Sequence, residues 1–434
     1  MRRLAFASLA TSASLLSLPA LAHPSLYFDA AGLAQLKQLA ADDTDAGLGW
    51  SYAEVFDGIV KAADQYLAGK YTYTVEIPDP DGNGSATWTY TLSSTMPPAH
   101  PNNKSYPPWT KVSRDLQSRM EVLSFVYAVS GDGKYLHNAQ GTGALDVAKA
   151  VAAWAKWTDP EYGCGTGNSC LDTAHLSLGV GLTYDLGFAA MTEAERKLLR
   201  DAIIAKGVTP LATDVKAANT TSGGIGAWFN GYALRVAGLA GGACAVAEDA
   251  PTQSPAWTTL ARESVLAFYG SQGADGAAFE GQLYGSYAVD NLVIAAHVLE
   301  QKSPGSGLFD HAWLTGVPRF AGAFLGTDNR TLANFGDSSL AAYWSTTMFA
   351  LAAHGNATAQ WYLVQSGNAR PRSFLNMLWA RPKLAPVPIP GSGTSLYQDV
   401  GHAVLRAGFD GAPVVAVKSG PPSEAVGHNH LDHN

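Results

Sequence analysis

Apolar residues recur at three- and four-residue intervals along most of this chain, a spacing typical of amphipathic helices. Leu33, Leu36 and Leu39 open the pattern, and Thr192 and Glu195 form a capping box that starts a later helix. The segments with helical spacing are 29–66, 113–130, 144–157, 171–188, 193–206, 228–239, 257–269, 284–299, 313–324, 341–353 and 358–364. So many helices joined by Gly-rich loops predict a mainly α fold, in which paired helices form an incomplete α/α toroid.

Alternation of polar and apolar positions, which is typical of strands, first interrupts the helical pattern near the start of the chain. Residues 71–75 and 87–92 alternate on either side of a segment rich in Pro, Asp and Gly. The sequence therefore predicts a β-hairpin inserted near 71–95.

The pattern changes again after a Pro-rich linker. Residues 402–407 and 413–418 alternate like short strands. We expect a helical domain at 23–385, followed at 386–434 by the linker and the first strands of a β domain. That region has room for about three or four strands, too few for a sandwich. We therefore expect the sequence to be truncated within this domain.

The N-terminus resembles a secretory signal peptide. Arg2 and Arg3 precede an apolar run, and Ala20-Leu21-Ala22 is a small-residue cleavage pattern. We expect residues 1–22 to be removed and the mature chain to be secreted or periplasmic. No later segment has enough consecutive apolar residues to predict a membrane span.

Composition narrows the classes of function. The 434 residues are 47% hydrophobic and carry a net charge of −8, with no dense basic tract, which argues against a nucleic-acid partner. An anionic ligand would need a local cluster of positive groups. Cys164 and Cys170 bracket a short loop and could form a local disulfide after export. Cys244 is more typical of a small buried residue.

The last residues concentrate chemistry that can titrate or bind metal. His428, His430 and Asp432 alternate, so in a strand they would project to one side. The segment is therefore either a catalytic or metal-binding site, or simply a polar chain end. Trp109 ends a Pro-rich loop and could stack on a sugar or pack on its own domain. Arg114 follows it and could bind acidic sugar groups or remain solvated.

Several stretches together resemble the heparinase II/III-like polysaccharide lyases, a superfamily that includes alginate and heparin lyases. The opening segment 23–29 is similar to the family's first motif, and so are the segments 171–176 and 334–338. The segment 275–284 resembles an acidic-Gly-x-x-Tyr motif, and the final His-x-His-x-Asp resembles the signature that opens the family's antiparallel β-sandwich domain.

The resemblance implies cleavage of a uronic-acid-containing polysaccharide by β-elimination, with no required cofactor. Tyr284 matches the family's catalytic tyrosine, and Tyr287, one helical turn on, is its substitute. His428 matches the catalytic base. His430 matches a second histidine that binds a structural zinc in some members. Glu280 belongs to the tyrosine motif and is a candidate for substrate binding.

The group that neutralises the substrate carboxylate departs from the family pattern. Asn230 fits the later of the expected positions and Trp228 fits the aromatic one, but Gly-Gly-Ile stands where Asn or His is expected. Asn219 could reach the site if the Gly-rich loop folds back. His175 is a third candidate, although a satisfied core histidine is more typical of its position in a helix. A glycoside hydrolase and a carbohydrate-binding or inactive relative remain alternative functions.

Overall fold

The structure is a computed structural model that describes residues 23–78, 84–99, 108–159, 164, 170–220, 229–333, 335, 337–341, 343–391, 394–409 and 411–419. The predicted mainly α class is confirmed. The helices are α1 Ala30–Ala40, α2 Tyr52–Ala68, α3 Pro108–Ser130, α4 Ala144–Ala153, α5 Leu171–Gly187, α6 Glu193–Ala202, α7 Thr209–Thr220, α8 Asn230–Ala245, α9 Ser254–Ser271, α10 Leu283–Lys302, α11 Ala312–Ala323, α12 Ser345–Ala353, α13 Ala357–Gln365 and α14 Phe374–Trp379. The strands are β1 Thr72–Pro78, β2 Ser85–Thr91, β3 Ser395–Tyr397, β4 His402–Arg406 and β5 Val414–Lys418.

Helices α3 and α5 run parallel. The Thr110 hydroxyl near the start of α3 donates to Asp172 at the start of α5, over 2.9 Å. Further along, Ser124 donates to Thr183 over 3.0 Å. Both contacts join residues at matching heights, so the two helices begin at the same end of the molecule.

Glycines let α8 run parallel to α5 at close range. A Cβ on Gly238 would lie 2.6 Å from the Cα of Ala174, and one on Gly242 would lie 2.4 Å from the hydroxyl oxygen of Ser177. Both separations are too short for a side chain, and at Gly238 the two backbones are in direct contact. Helix α10 packs on the other side of α8.

The segment Ser25–Phe28 crosses the far end of these helices. Asp185, near the end of α5, accepts hydrogen bonds from the backbone amides of Ser25 and Leu26, over 2.9 and 3.0 Å. His297, late in α10, donates from Nε2 to the carbonyl of Tyr27 over 2.8 Å. The C-terminal ends of α5 and α10 therefore meet under this segment, and their N-terminal ends lie at the opposite side.

The helix contacts form a cycle. Each of α3, α5, α8, α10, α12 and α14 contacts the next, and α14 contacts α2, which returns to α3. The remaining helices lie outside this cycle, as in α4 against α5 and α9 against α8. None of the described helices has the length and apolar character needed to cross a bilayer.

The strands form two small antiparallel sheets. β1 and β2 pair from Thr72 opposite Thr91 to Pro78 opposite Ser85. β3, β4 and β5 form a second sheet, in that order. Arg406 on β4 donates from Nη1 to the carbonyls of Ala323 and Leu325, each over 3.0 Å, so this sheet is fastened to the end of α11. The predicted domain boundaries and the signal peptide remain predictions.

The cysteine predictions are confirmed. Cys164 and Cys170 form a disulfide with their Cα atoms 4.6 Å apart. Cys244 is fully buried in α8, and burial raises the pKa of its thiol to about 12. A thiol with such a pKa stays protonated at neutral pH and is unsuited to act as a nucleophile.

Asp172 gives the fold a pH-dependent contribution to stability. Its carboxyl is buried beneath Thr110, and burial raises its pKa to about 7. Between the ordinary aspartate pKa and about 7, the folded state keeps a proton that the unfolded state has released. Folding is therefore most favoured by this group at low pH, and stability is lost as pH rises through 7.

Comparing Asp172→Asn with the wild type isolates that contribution, because all other titrating groups are shared. The stability of the wild type relative to the variant should fall by about 1.4 kcal/mol per pH unit as pH rises from 5 to 7 and level off above that. Thermal or urea unfolding at several pH values measures it. If the stability of the two proteins depends on pH in the same way, the raised pKa is wrongly assigned to Asp172.

Candidate active site

Four of the described helices begin at the same end of the helix cycle. The parallel helices α3, α5, α8 and α10 all begin there, opposite the Ser25–Phe28 segment. Each helix N-terminus carries a partial positive charge, because its first N–H groups have no partner within the helix. In a chain with a net charge of −8, this end is the kind of local environment that an anionic ligand requires.

Arg114 and Tyr287 meet at this end. The guanidinium Nη2 donates to the tyrosine hydroxyl over 3.5 Å, and the guanidinium carbon lies 5.5 Å from the ring centroid. The two residues belong to α3 and α10, which the cycle separates by α5 and α8, so the contact spans the interior. Arg114 is exposed and Tyr287 half-buried. Burial raises the pKa of Tyr287, while the charge of Arg114 opposes that rise.

His175 holds Arg114 from the side. Arg114 donates from Nε to His175 Nε2 over 3.1 Å, and His175 Nδ1 bonds to the side-chain oxygen of Gln117. Burial, together with Arg114, lowers the pKa of His175 well below its usual value. The imidazole is therefore neutral and both nitrogens are engaged within the protein. His175 therefore has the contacts of a satisfied core histidine, and its role towards the substrate carboxylate stays a prediction.

Asn230 and Glu280, both singled out in the sequence, are brought together. Asn230 is the first residue of α8, and the Glu280 carboxylate accepts from its backbone N–H over 2.5 Å and its side-chain Nδ2 over 2.9 Å. Glu280 is 4% exposed, and burial raises its pKa to about 7. Glu280 therefore orients the Asn230 amide from behind. Its role in substrate binding stays a prediction.

Two predicted substrate contacts have other partners. Asn219 donates from Nδ2 to the Ser264 hydroxyl over 3.0 Å and accepts from the Tyr232 hydroxyl, which ties it to α8 and α9. Trp109 is 1% exposed, and its indole nitrogen donates to the carbonyl of Pro98 over 3.0 Å. A ring this buried presents no face on which a sugar could stack. The packing alternative for Trp109 is the one observed.

Of the remaining predicted site residues, one lies within the described part of the chain and three do not. Tyr284 is the second residue of α10 and half-buried, one turn before Tyr287. Trp228, His428 and His430 lie outside the described residues, so their roles stay predictions. Within the described part of the chain, no three His, Cys, Asp or Glu side chains are grouped as a metal site requires.

Gln117, whose side-chain oxygen is hydrogen-bonded to His175, was not predicted from the sequence. A signal was present, since Gln117 follows Arg114 by three residues and therefore shares its face of the helix. Nothing in the sequence shows that this face meets α5.

Comparisons with known proteins are limited. No family model matches the sequence. No curated protein matches it either. Among solved structures, the chain is similar to one described as a heparinase III gene product, with a TM-score of 0.43, 15% sequence identity and 94% of this chain covered. The chain spans 62% of the length of that structure. The similarity is a distant one of fold.

Proposed function

We propose that this protein is a secreted or periplasmic polysaccharide lyase that cleaves a uronic-acid-containing polysaccharide or oligosaccharide by β-elimination. The observation that carries the proposal is the Arg114–Tyr287 pair, a phenol beside a permanent cation at the end where helix N-termini gather. The motifs that resemble the heparinase II/III-like lyases supply the reaction type.

The reaction needs three things from the site. The proton on C5 of the uronate is removed, the C4–O4 bond breaks as a C4=C5 double bond forms, and the departing O4 takes up a proton. Negative charge develops on the carboxylate during proton removal and must be stabilised. Positive charge from Arg114 and from the helix N-termini acts in that direction, and the Asn230 amide is a hydrogen-bond donor at the same end.

Tyr287 suits the acid role because Arg114 lies beside its hydroxyl. The positive charge favours the phenolate and so opposes the rise in pKa that burial causes, which makes the hydroxyl a better proton donor to O4 than burial alone would leave it. His428 is the proposed base for substrates whose C5 proton lies on the opposite face, and the proposal for His428 rests on the motif alone.

A panel of acidic polysaccharides tests the function. Alginate, heparin- and heparan-type chains and other polyuronates are incubated with purified protein, and the ultraviolet absorbance of the unsaturated uronate is followed. We expect absorbance to grow with at least one polymer. New reducing ends without absorbance would indicate a hydrolase instead, and binding without cleavage would indicate a carbohydrate-binding relative. Inert behaviour towards every polymer would contradict the proposal.

A further inference from the structure

A row of polar side chains leads away from Arg114 along one face of α3. Gln117 lies three residues after Arg114, and Glu121 four residues further. Gln117 donates from Nε2 to the Glu121 carboxylate over 2.8 Å and accepts from His175 at its side-chain oxygen. The row therefore runs Glu121, Gln117, His175, Arg114 and ends at Tyr287.

Arg114 at one end of the row and Glu121 at the other determine which atom donates and which accepts in each hydrogen bond between them. A guanidinium has only donors, so His175 Nε2 must accept from Arg114 and carries no proton. The imidazole proton is then on Nδ1 and is donated to Gln117. The amide of Gln117 must present its oxygen to His175 and its nitrogen to Glu121, whose carboxylate oxygen accepts. No other orientation of the Gln117 amide satisfies both neighbours.

We propose that Gln117 and Glu121 are positioning residues that hold His175 in the tautomer protonated at Nδ1, so that His175 keeps Arg114 against Tyr287. The other tautomer would place an N–H at Nε2, facing the N–H of Arg114. Two donors cannot bond to each other, so the hydrogen bond between His175 and Arg114 would be lost. The effect on catalysis rests on the proposed function, whereas the tautomer itself does not.

The tautomer is measured directly by long-range proton–nitrogen NMR on protein labelled with ¹⁵N-histidine. The spectrum of His175→Gln identifies the signals of His175 by their loss. In the wild type we expect Nδ1 to be protonated and Nε2 not. Gln117→Met, which keeps the length of the side chain but removes both polar atoms, should shift the population towards Nε2. Gln117→Glu restores an acceptor for the Nδ1 proton and should return the tautomer population to that of the wild type.

Kinetics test the consequence for Arg114. Because the hydrogen bond that positions the charged Arg114 is weakened, kcat should fall about 10- to 100-fold in Gln117→Met. The basic limb of the pH–rate profile should also move upwards, because Tyr287 loses part of its cationic neighbour. Ser118→Ala, on an exposed position of α3, is the matched control and should leave the tautomer, kcat and pH profile unchanged.

The outcomes separate the two proposals. A wild-type His175 protonated at Nε2 overturns the inference even if Gln117→Met fails to fold. A tautomer unaffected by a folded Gln117→Met also overturns it, and so does an unchanged kcat and pH profile in an active enzyme. Absence of elimination with every polymer, together with the expected tautomer shift, would remove the proposed function and leave the positioning of Arg114 standing.

Discussion

Tyr287→Phe should lower the elimination rate by about 10²- to 10⁴-fold, the range expected when a positioned general acid is removed. The change deletes one hydroxyl. That hydroxyl's hydrogen bond to Arg114 is long, at 3.5 Å, so little stability should be lost with it. Initial rates of absorbance increase on the polymer that is cleaved fastest measure the effect, and thermal unfolding checks the fold.

Tyr284→Phe is the matched control. It changes the same residue type, one turn earlier on α10 and also half-buried, and we expect most activity to remain. If Tyr284→Phe is silent and Tyr287→Phe inactive, the acid is Tyr287. The reverse result would return the role to Tyr284, the position that the motif match favours. Full activity in both variants would exclude a tyrosine acid from this helix.

Asp214→Asn should reduce the free energy of unfolding by about 3–5 kcal/mol, because it leaves a buried guanidinium without its counter-charge. Asp214 and Arg235 form an ion pair between α7 and α8, with side chains 6% and 7% exposed. A guanidinium stays protonated in proteins, so Arg235 cannot avoid the cost of an uncompensated buried charge by becoming neutral. Equilibrium unfolding in urea measures the loss.

An exposed ion pair provides the comparison. Lys197 and Asp201 are four residues apart on α6, with side chains 65% and 48% exposed. Asp201→Asn makes the same chemical change in solvent and should cost less than about 1 kcal/mol. Replacing both members of the buried pair, as Asp214→Leu with Arg235→Met, should recover part of the loss. Equal effects of the two single asparagine variants would refute the distinction between the sites.

Helical periodicity predicted most elements of the fold to within a few residues, because the apolar face of each helix is determined by residues close together in the sequence. The prediction failed where tertiary contacts set the limits. The helix predicted from residue 341 begins at Ser345, since Thr331 and Ala341 form a β-bridge just before it. The helix predicted to end at Lys206 continues through a π-helical turn, Ile203–Val208. There Gly207 lies against Trp157 and Ser177.

The candidate site was only partly accessible from the sequence. The residue types were found, since Arg114, His175, Tyr287, Asn230 and Glu280 were all singled out. Their pairing was not, because it depends on parallel packing of helices far apart in sequence. Arg114 and His175 are separated by 61 positions, and Arg114 and Tyr287 by 173.

Burial was the other quantity that the sequence did not supply. Trp109 follows a Pro-rich loop and has the sequence context of an exposed ring. The structure instead packs it edge-on against Trp154, with ring centroids 6.1 Å apart. A single sequence gives no measure of which neighbours will cover a side chain, so the stacking and packing hypotheses could not be separated.

The segment Ser25–Phe28 sets a constraint on the order of folding. Its partners are Asp185 on α5 and His297 and Lys302 on α10, up to 277 positions along the chain. Contacts of such long range are slow to form, because a large loop must close before they gain any energy. Until α10 has been synthesised, Tyr27 lacks its partner His297 on that helix. Apolar surface at the start of the chain therefore stays uncovered during synthesis, which favours aggregation.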